Sequence, residues 1–267
     1  MRRSAIQAAV AAAVLLTVGS AANAHGPAGS TPPPGYTVLQ MNLCLSGSAG
    51  CFGRTAYPSV VDEAARQVVA QDAEAVTLNE ACSRDVATLA RRTGYRMRFS
   101  AVRSHGAPLP CVHPGGRGVY GLAVLTEAPV RSTRDHAFEV HAGAEERRWL
   151  CVTTAGRTTV CSAHLGTRGS AVARVFNDAE CRQLRSVLAR YDEAGATVFA
   201  GDVNRRDPCV PSTMWSLDDG AAAQLPGIQH VYGSTGLGPP VARVAAATYK
   251  DHDFLAASLP AVPTAPG

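Results

Sequence analysis

The chain has 267 residues, of which 46% are hydrophobic, enough for one large α/β domain with a substantial core. Its formal charge of +4 is almost all arginine, Lys250 being the sole lysine, which gives only weak support for a polyanionic partner. No apolar run approaches the roughly 20 residues of a membrane span, so stable membrane insertion is not expected.

The first segment, "MRRSAIQAAVAAAVLLTVGSAANA", has two arginines, an apolar stretch and the small-x-small end Ala22-Asn23-Ala24. It predicts a signal peptide over 1–24, cut before His25, and an exported protein. Removal of Arg2 and Arg3 would lower the charge by two. "HGPAGSTPPPG", 25–35, is a polar, proline-rich leader expected to be mobile. All eight cysteines follow it: Cys44, Cys51, Cys82, Cys111, Cys151, Cys161, Cys181 and Cys209. An even count in an exported chain favours disulfides, and zinc ligation lacks a C-x-x-C pair.

"YTVLQMNL" reads as a buried strand. "VVDEAARQVVAQ" places Val61, Ala64, Ala65, Val68 and Val69 at helical spacing, and "AEAVTLNE" is a second strand. "RDVATLARRTG" is a short helix closed by Gly94, and "YRMRFSAV" alternates as a strand does. A glycine- and proline-rich loop, 104–118, leads into the strand "VYGLAVLT". From Val130 to Leu165 the pattern is antiparallel, with "RRWLCVTTAGRTTVCSAHL" a hairpin turning near Ala155-Gly156. A helix follows over about 172–191. The strands "TVFAG", "GIQHVYGS" and "VARVAAATYK" complete the chain. There is no internal repeat. This order fits mixed sheets packed on each other with outer helices, and does not fit an all-parallel doubly wound sheet. One folded domain is expected over 36–260.

Cys151 and Cys161 would face each other if that hairpin has a three-residue loop, and they are paired on that basis. Many connectivities remain open for the others. The pairing adopted is Cys44 with Cys51, Cys82 with Cys111, and Cys181 with Cys209.

Polar residues recur where apolar strands end. Asn42 ends "VLQMN", Glu80 ends "AVTLNE" and His164 ends "VCSAH". Asp202 and Asn204 end "VFAGDVN", and Asp251 and His252 follow "AAATYK". A lone strand-end Asp or Asn is usually a turn residue or a helix cap. Five such ends, with two amides, three carboxylates and two imidazoles, point instead to convergence on one rim of the sheets.

In order and approximate spacing, "MN", "NE", "SAHL", "GDVN" and "KDHD" resemble the endonuclease/exonuclease/phosphatase superfamily. The superfamily includes secreted deoxyribonucleases, abasic-site endonucleases, sphingomyelinases and inositol-polyphosphate phosphatases. The likeness spans about Tyr36 to Leu255 and implies an α/β four-layer sandwich, two mixed sheets face to face with helices outside. It also implies a metal-dependent phosphoester hydrolase, a nuclease first, acting on nucleic acid or another phosphoester. With the signal peptide the enzyme is expected to be secreted, and it is expected to be a monomer.

Such chemistry needs an activated water, neutralisation of phosphorane-like charge and help for the leaving oxygen. By the resemblance, Glu80 is the metal position, shared with Asp251, and hard oxygen ligands suit Mg²⁺ or Mn²⁺. Asn42 would bond near the metal carboxylate or the phosphate, and His164 would donate to a phosphate oxygen. Asp202 would orient or deprotonate the water with Asn204 fixing its geometry, and His252 would be a second acid/base or a phosphate clamp. Arg205 and Arg206 directly follow the site, and Arg147 and Arg148 begin a strand where nuclease relatives contact phosphate, so all four are candidate substrate-binding residues.

Two departures stand out. Gln229, in "GIQHVYG", occupies the place of an Asp that pairs with the histidine matching His252. Gln229 is expected to orient that ring without adding charge. Lys250 stands where a small hydroxyl residue is usual, as a phosphate contact or an exposed cation. His230, on the opposite strand face, and Tyr120 are expected to be structural.

Other functions compete. A sphingomyelinase or inositol-phosphate phosphatase fits the same residues, although the 104–118 loop has no long apolar insertion for lipid. A copper site at a freed His25 would sit on the flexible leader. A catalytically weak binding module, prompted by Gln229, is opposed by the retention of Asn42, Glu80, His164, Asp202, Asn204 and His252.

Overall fold

A computed structural model describes residues 35–238 and 240–259. The signal-peptide segment, His25 and most of the leader lie outside the described residues, as does position 260. Among the described residues, no helix is long and apolar enough to cross a membrane.

The elements are β1 (Tyr36–Asn42), α1 (Ser59–Ala70), β2 (Ala75–Cys82), α2 (Ser83–Thr93), β3 (Arg96–Ala101), β4 (Arg103–Ser104), β5 (Ala107–Pro108), β6 (Tyr120–Thr126) and β7 (Val130–Ala137). They continue with β8 (Arg148–Thr154), β9 (Thr159–Ala163), α3 (Ala171–Ala194), β10 (Thr197–Asp202), β11 (Met214–Asp218), β12 (Gln229–Ser234), β13 (Val241–Ala245) and β14 (Phe254–Leu259). One sheet has the order β13-β14-β1-β2-β6-β3 and the other β11-β12-β10-β9-β8-β7. β4 and β5 form a minimal hairpin of their own.

The alternation of each strand decides which layer it feeds. Val38 of β1 points between the sheets with Leu122, Val124, Leu150, Val160, Val198 and Val231. Its neighbours Leu39 and Met41 point outward, against Val61, Ala64 and Val68 of α1 and Val86 and Leu89 of α2. On the far sheet, Phe199 and Tyr232 point outward against Leu184, Val187 and Leu188 of α3. The result is helix, sheet, sheet, helix, as the sequence pattern predicts. Gly94 closes α2 in the left-handed conformation at φ +77°, a geometry that side chains resist.

Each sheet contains a single parallel pair, β1 with β2 and β9 with β10, joined through α1 and α3 respectively. All other pairs are antiparallel. Ligand sites in α/β sheets form at the carboxyl ends of parallel strands, where chains diverge into crossovers. Here both parallel pairs end at the same rim.

Four disulfides join Cys44–Cys51, Cys82–Cys111, Cys151–Cys161 and Cys181–Cys209, the expected pairing. Thr154 N donates to Thr158 O at 2.9 Å, so the β8–β9 hairpin has the three-residue loop 155–157. Cys151 then faces Cys161 directly.

Five strands depart from expectation, among them the two-residue β4 and β5, which lie in or beside the segment read as the 104–118 loop. The late segment "VARVAAATYK" is a strand only over Val241–Ala245. Its remainder bends away because Glu63 of α1 accepts hydrogen bonds from Thr248 N and Tyr249 N, at 2.9 and 3.3 Å. β11 and β14 were not expected as strands. β11 has one buried residue, Met214, and then alternates half-buried Trp215 and Leu217 with exposed Ser216 and Asp218, and β14 follows directly on the polar run 250–253.

Candidate functional site

The rim is assembled from both sheets. Asn42 ends β1 and Glu80 lies near the end of β2. Asp251 and His252 sit in the turn before β14, His164 follows β9 and Asp202 ends β10. Gly201 permits the last step. A Cβ there would meet Ala163 O at 2.3 Å, so only glycine lets β9 and β10 close until His164 bridges to Asp202.

Glu80 sits at a register shift between β2 and β6 and has φ +52°. A bulge turns the side chain out of the pleat and toward the rim. Left-handed backbone costs a non-glycine residue about 1 kcal/mol or more, and such strain concentrates at functional positions. Asn204, at φ +53°, adopts the same conformation at lower cost because asparagine tolerates it.

At the centre stands Asn42. Its Nδ2 donates to Glu80 Oε1 at 2.9 Å and to Asp202 Oδ2 at 3.0 Å, and its Oδ1 accepts from Cys44 N at 3.1 Å. Asp202 Oδ1 accepts from Asn204 N at 2.9 Å. His252 Nε2 lies 4.0 Å from Asp202 Oδ2 and 3.9 Å from Asp251 Oδ1. His164 Nε2 lies 3.7 Å from Glu80 Oε1. Seven predicted residues are therefore brought together.

Burial dominates the titration of these groups. It lifts Asp202 to about 7 against the opposing bonds from Asn42 and Asn204. It also raises Glu80, although Asn42 and Arg147 pull that carboxyl down. Burial, then the neighbouring Arg147 charge, hold His164 well below the usual imidazole range. Burial lowers His252 to about 4 despite the Asp251 carboxylate beside it. Both rings are neutral near pH 7.

The donor set fits a hard divalent cation. Glu80 Oε2 lies 3.6 Å from the disulfide sulfur of Cys51, which has no proton to donate. Asp251 Oδ1 is buried with no hydrogen-bond partner, while its Oδ2 is held by Arg54 at 2.8 Å. Two partly unpartnered carboxylates are what Mg²⁺ or Mn²⁺, which retain several waters, require. Among the described residues, one Cys, Asp, Glu or His cluster has three ligand atoms within 4.8 Å of one another: Cys44, Cys51 and Glu80. Its two sulfurs are joined to each other.

Several predicted roles are corrected. Gln229 makes no hydrogen bond to His252. Its Nε2 donates to Asp219 Oδ2 at 3.0 Å and Asp253 O at 2.9 Å, and its Oε1 accepts from Asn42 N at 3.3 Å. His252 Nδ1 has no partner. Lys250 is neither a phosphate contact nor exposed. It is buried, its Nζ donates to His252 O and lies 4.0 Å over the Phe254 ring, and burial lowers it to about 7. Arg148 is committed to Asp135, Glu146 and Ser100, each at 2.9 Å. Arg205 is tied to Asp178 at 2.7 Å, and Arg147 to His164 Nδ1 at 3.1 Å. Arg206 is exposed. His230 bonds Arg205 O at 2.8 Å, and Tyr120 packs in the α1–α2 core, both structural as expected.

Four polar residues escaped the sequence reading. Asn79 Oδ1 accepts from Asp202 N at 2.7 Å, across the two sheets, and from Gln40 Nε2 at 2.8 Å within its own sheet. Asp219 accepts from the backbone of Gly227, Ile228 and Gln229 at 2.8, 2.9 and 3.1 Å. On α3, Asn177 Nδ2 donates to Gly166 O at 2.7 Å and Val203 O at 3.0 Å, and Glu180 accepts from Gly166 N at 2.6 Å. Asn79, Asn177 and Glu180 brace the segments that carry His164, Asp202 and Asn204, and Asp219 braces the turn that carries Gln229. Two of the four, Asn79 in "LNE" and Asp219 in "SLDDG", lie beside segments already singled out or in plain turn signals.

No protein-family model and no curated protein matches this sequence. Solved structures do. The human Nocturnin catalytic domain with bound sulfate superposes with a TM-score of 0.63 at 15% identity, covering 84% of this chain and 93% of that one. An endonuclease/exonuclease/phosphatase from Beutenbergia cavernae gives 0.61 at 20% identity, over 87% and 73%. D. rerio TDP2 complexed with single-strand DNA product gives 0.57 at 14% identity, over 84% and 98%. At such identities the likeness is one of architecture, and the architecture of this chain is the endonuclease/exonuclease/phosphatase fold.

Proposed function

We propose that the protein is a secreted, divalent-metal-dependent phosphodiesterase that acts as a monomer on nucleic acid. The observation that carries this reading is the Asn42 amide joined to two carboxylates, half-buried Glu80 and buried Asp202, with an imidazole within 4.0 Å of each. Glu80, with the open Oδ1 of Asp251, would hold Mg²⁺ or Mn²⁺, which supplies Lewis-acid stabilisation of phosphoryl charge. Asp202, poised near 7, is suited to take a proton from water at neutral pH. Asn204 N fixes the orientation of that carboxylate. His164 offers a hydrogen bond to a phosphoryl oxygen, and neutral His252, 4.0 Å from Asp202 Oδ2, is a second proton-transfer group.

The fold supports the phosphoester class, and the neighbour bound to single-strand DNA favours nucleic acid over a lipid headgroup. Four disulfides are compatible with an extracellular protein. The test is direct: incubate the protein with Mg²⁺ or Mn²⁺ and plasmid DNA, RNA, sphingomyelin or inositol phosphates, with and without EDTA. Cleavage of DNA or RNA that EDTA abolishes is expected. Full activity in excess chelator, or hydrolysis of the lipid or inositol substrates alone, would overturn this reading.

A further inference from the structure

His164 is approached from both ring nitrogens. Arg147 Nη1 lies 3.1 Å from Nδ1, and Asn204 Nδ2 lies 3.1 Å from Nε2. A guanidinium has donors and no acceptor, so Nδ1 must offer its lone pair. A doubly protonated ring would set donor against donor there. The ring is therefore neutral and its one proton sits on Nε2. Asn204 Nδ2 gives one amide hydrogen to Leu165 O at 2.9 Å, and its second competes with Arg147 for the single imidazole lone pair; the charged guanidinium is the stronger donor and takes it. The Nε2–H faces the space in front of Glu80 Oε1, 3.7 Å away.

Arg147 is well placed to impose this. Its guanidinium is 3.3 Å from Glu145 Oε1. Its backbone carbonyl accepts from Phe138 N at 2.8 Å, and Glu146 N beside it donates to Arg103 O at 2.8 Å. The guanidinium is thus anchored by charge on one side and by β7 and β4 through its own segment. A catalytic imidazole more often has a carboxylate on Nδ1, which selects the Nδ1–H form and leaves Nε2 free to accept a proton. A cation in that place selects the opposite tautomer.

We propose that Arg147 is a positioning residue that fixes His164 in the Nε2–H form, making it a dedicated hydrogen-bond donor to an anionic oxygen and not a base. The donor role rests on the phosphodiesterase reading; the tautomer does not. Loss of one such donor lowers turnover by roughly 10²-fold.

The experiment is two-bond ¹H–¹⁵N correlation on the full chain labelled at histidine, with His164 assigned by the signal lost in His164→Asn. A pyrrole-type Nε2 and a pyridine-type Nδ1 are expected. Arg147→Lys, which keeps a donor, should preserve that pattern, and Arg147→Met should mix or invert it. With a cleavable substrate, Arg147→Met should lower kcat by roughly 10²-fold with little change in KM, and Arg147→Lys should recover most of it. A pyridine-type Nε2 in the native protein, or an unchanged pattern in Arg147→Met, would overturn the proposal. The expected spectra in a protein that cleaves no phosphoester would uphold Arg147's role and reject the phosphodiesterase.

Discussion

Asn42 Nδ2 stands 2.9 Å from Glu80 and 3.0 Å from Asp202, so one amide group restrains a carboxylate from each sheet. Asn42→Ala would leave both acids without that donor. Turnover should fall by roughly 10²-fold or more, while far-ultraviolet circular dichroism stays native. A rate within threefold or so of native would show that Asn42 is packing and not part of the site.

Asp202 gives a pH signature of defined sign. Burial raises its folded-state value from 3.8 to about 7. Between those values the folded protein holds a proton that the unfolded chain has released, so stability from this group is greatest below the window and is lost as pH rises through it. Asp202→Asn cannot ionise there. Thermal unfolding in chelator should show a shallower loss of stability for the variant between about pH 4 and pH 8. Glu180, also lifted to about 7 by burial, titrates in both proteins and drops out of the difference. Equal slopes would mean that Asp202 ionises freely. The rate should rise with pH through the same region if the ionised carboxylate is the base.

Gln229→Asp tests the corrected position of this side chain. The new carboxylate would lie against Asp219, which now accepts from Gln229 at 3.0 Å, and the donor to Asp253 O would be lost. Uncompensated buried charge costs about 3 kcal/mol or more. The melting temperature should drop clearly, with no alkaline displacement of the acidic limb in the residual activity. A stable variant with a displaced limb would return Gln229 to the side of His252.

The Cys44–Cys51 bridge packs its Cys51 sulfur 3.6 Å from Glu80 Oε2. Replacing both cysteines by serine should weaken half-activation by Mg²⁺ about tenfold, the scale of other residues that support a metal ligand. Thermal unfolding should shift modestly, because the bridge spans a sequence separation of 7 and short loops contribute least. Unchanged metal activation would make this bridge purely structural.

The residues that end parallel strands were readable from the chain because an acid or amide after an apolar run has few bland uses when it recurs. What could not be read was partnership. Gln229 occupies the expected strand position, yet its amide turns to Asp219, a residue from a turn with no periodic signal. Arg147, Arg148 and Arg205 looked alike as basic residues near the rim. Only packing shows that Arg148 spans two acids while Arg147 reaches His164. Layer order follows from alternation along each strand. Which groups meet across two sheets depends on how the sheets are offset, and alternation carries no information about that.

That offset is where Asn79 matters. Apolar faces such as Val38, Val124, Val160 and Val198 resist separation but oppose sliding only weakly, since one branched side chain can slot in for another. The bond from Asp202 N to Asn79, continued through Gln40, acts as a detent between the sheets. A slip of one residue, about 3.3 Å along a strand, would strand the Asn79 carbonyl in an apolar layer and separate Asn42 from Asp202 in the same movement. Alignment of the two halves of the rim is thus tied to the cost of an unpaired buried amide, and a sandwich that shears loses its chemistry before it loses its shape.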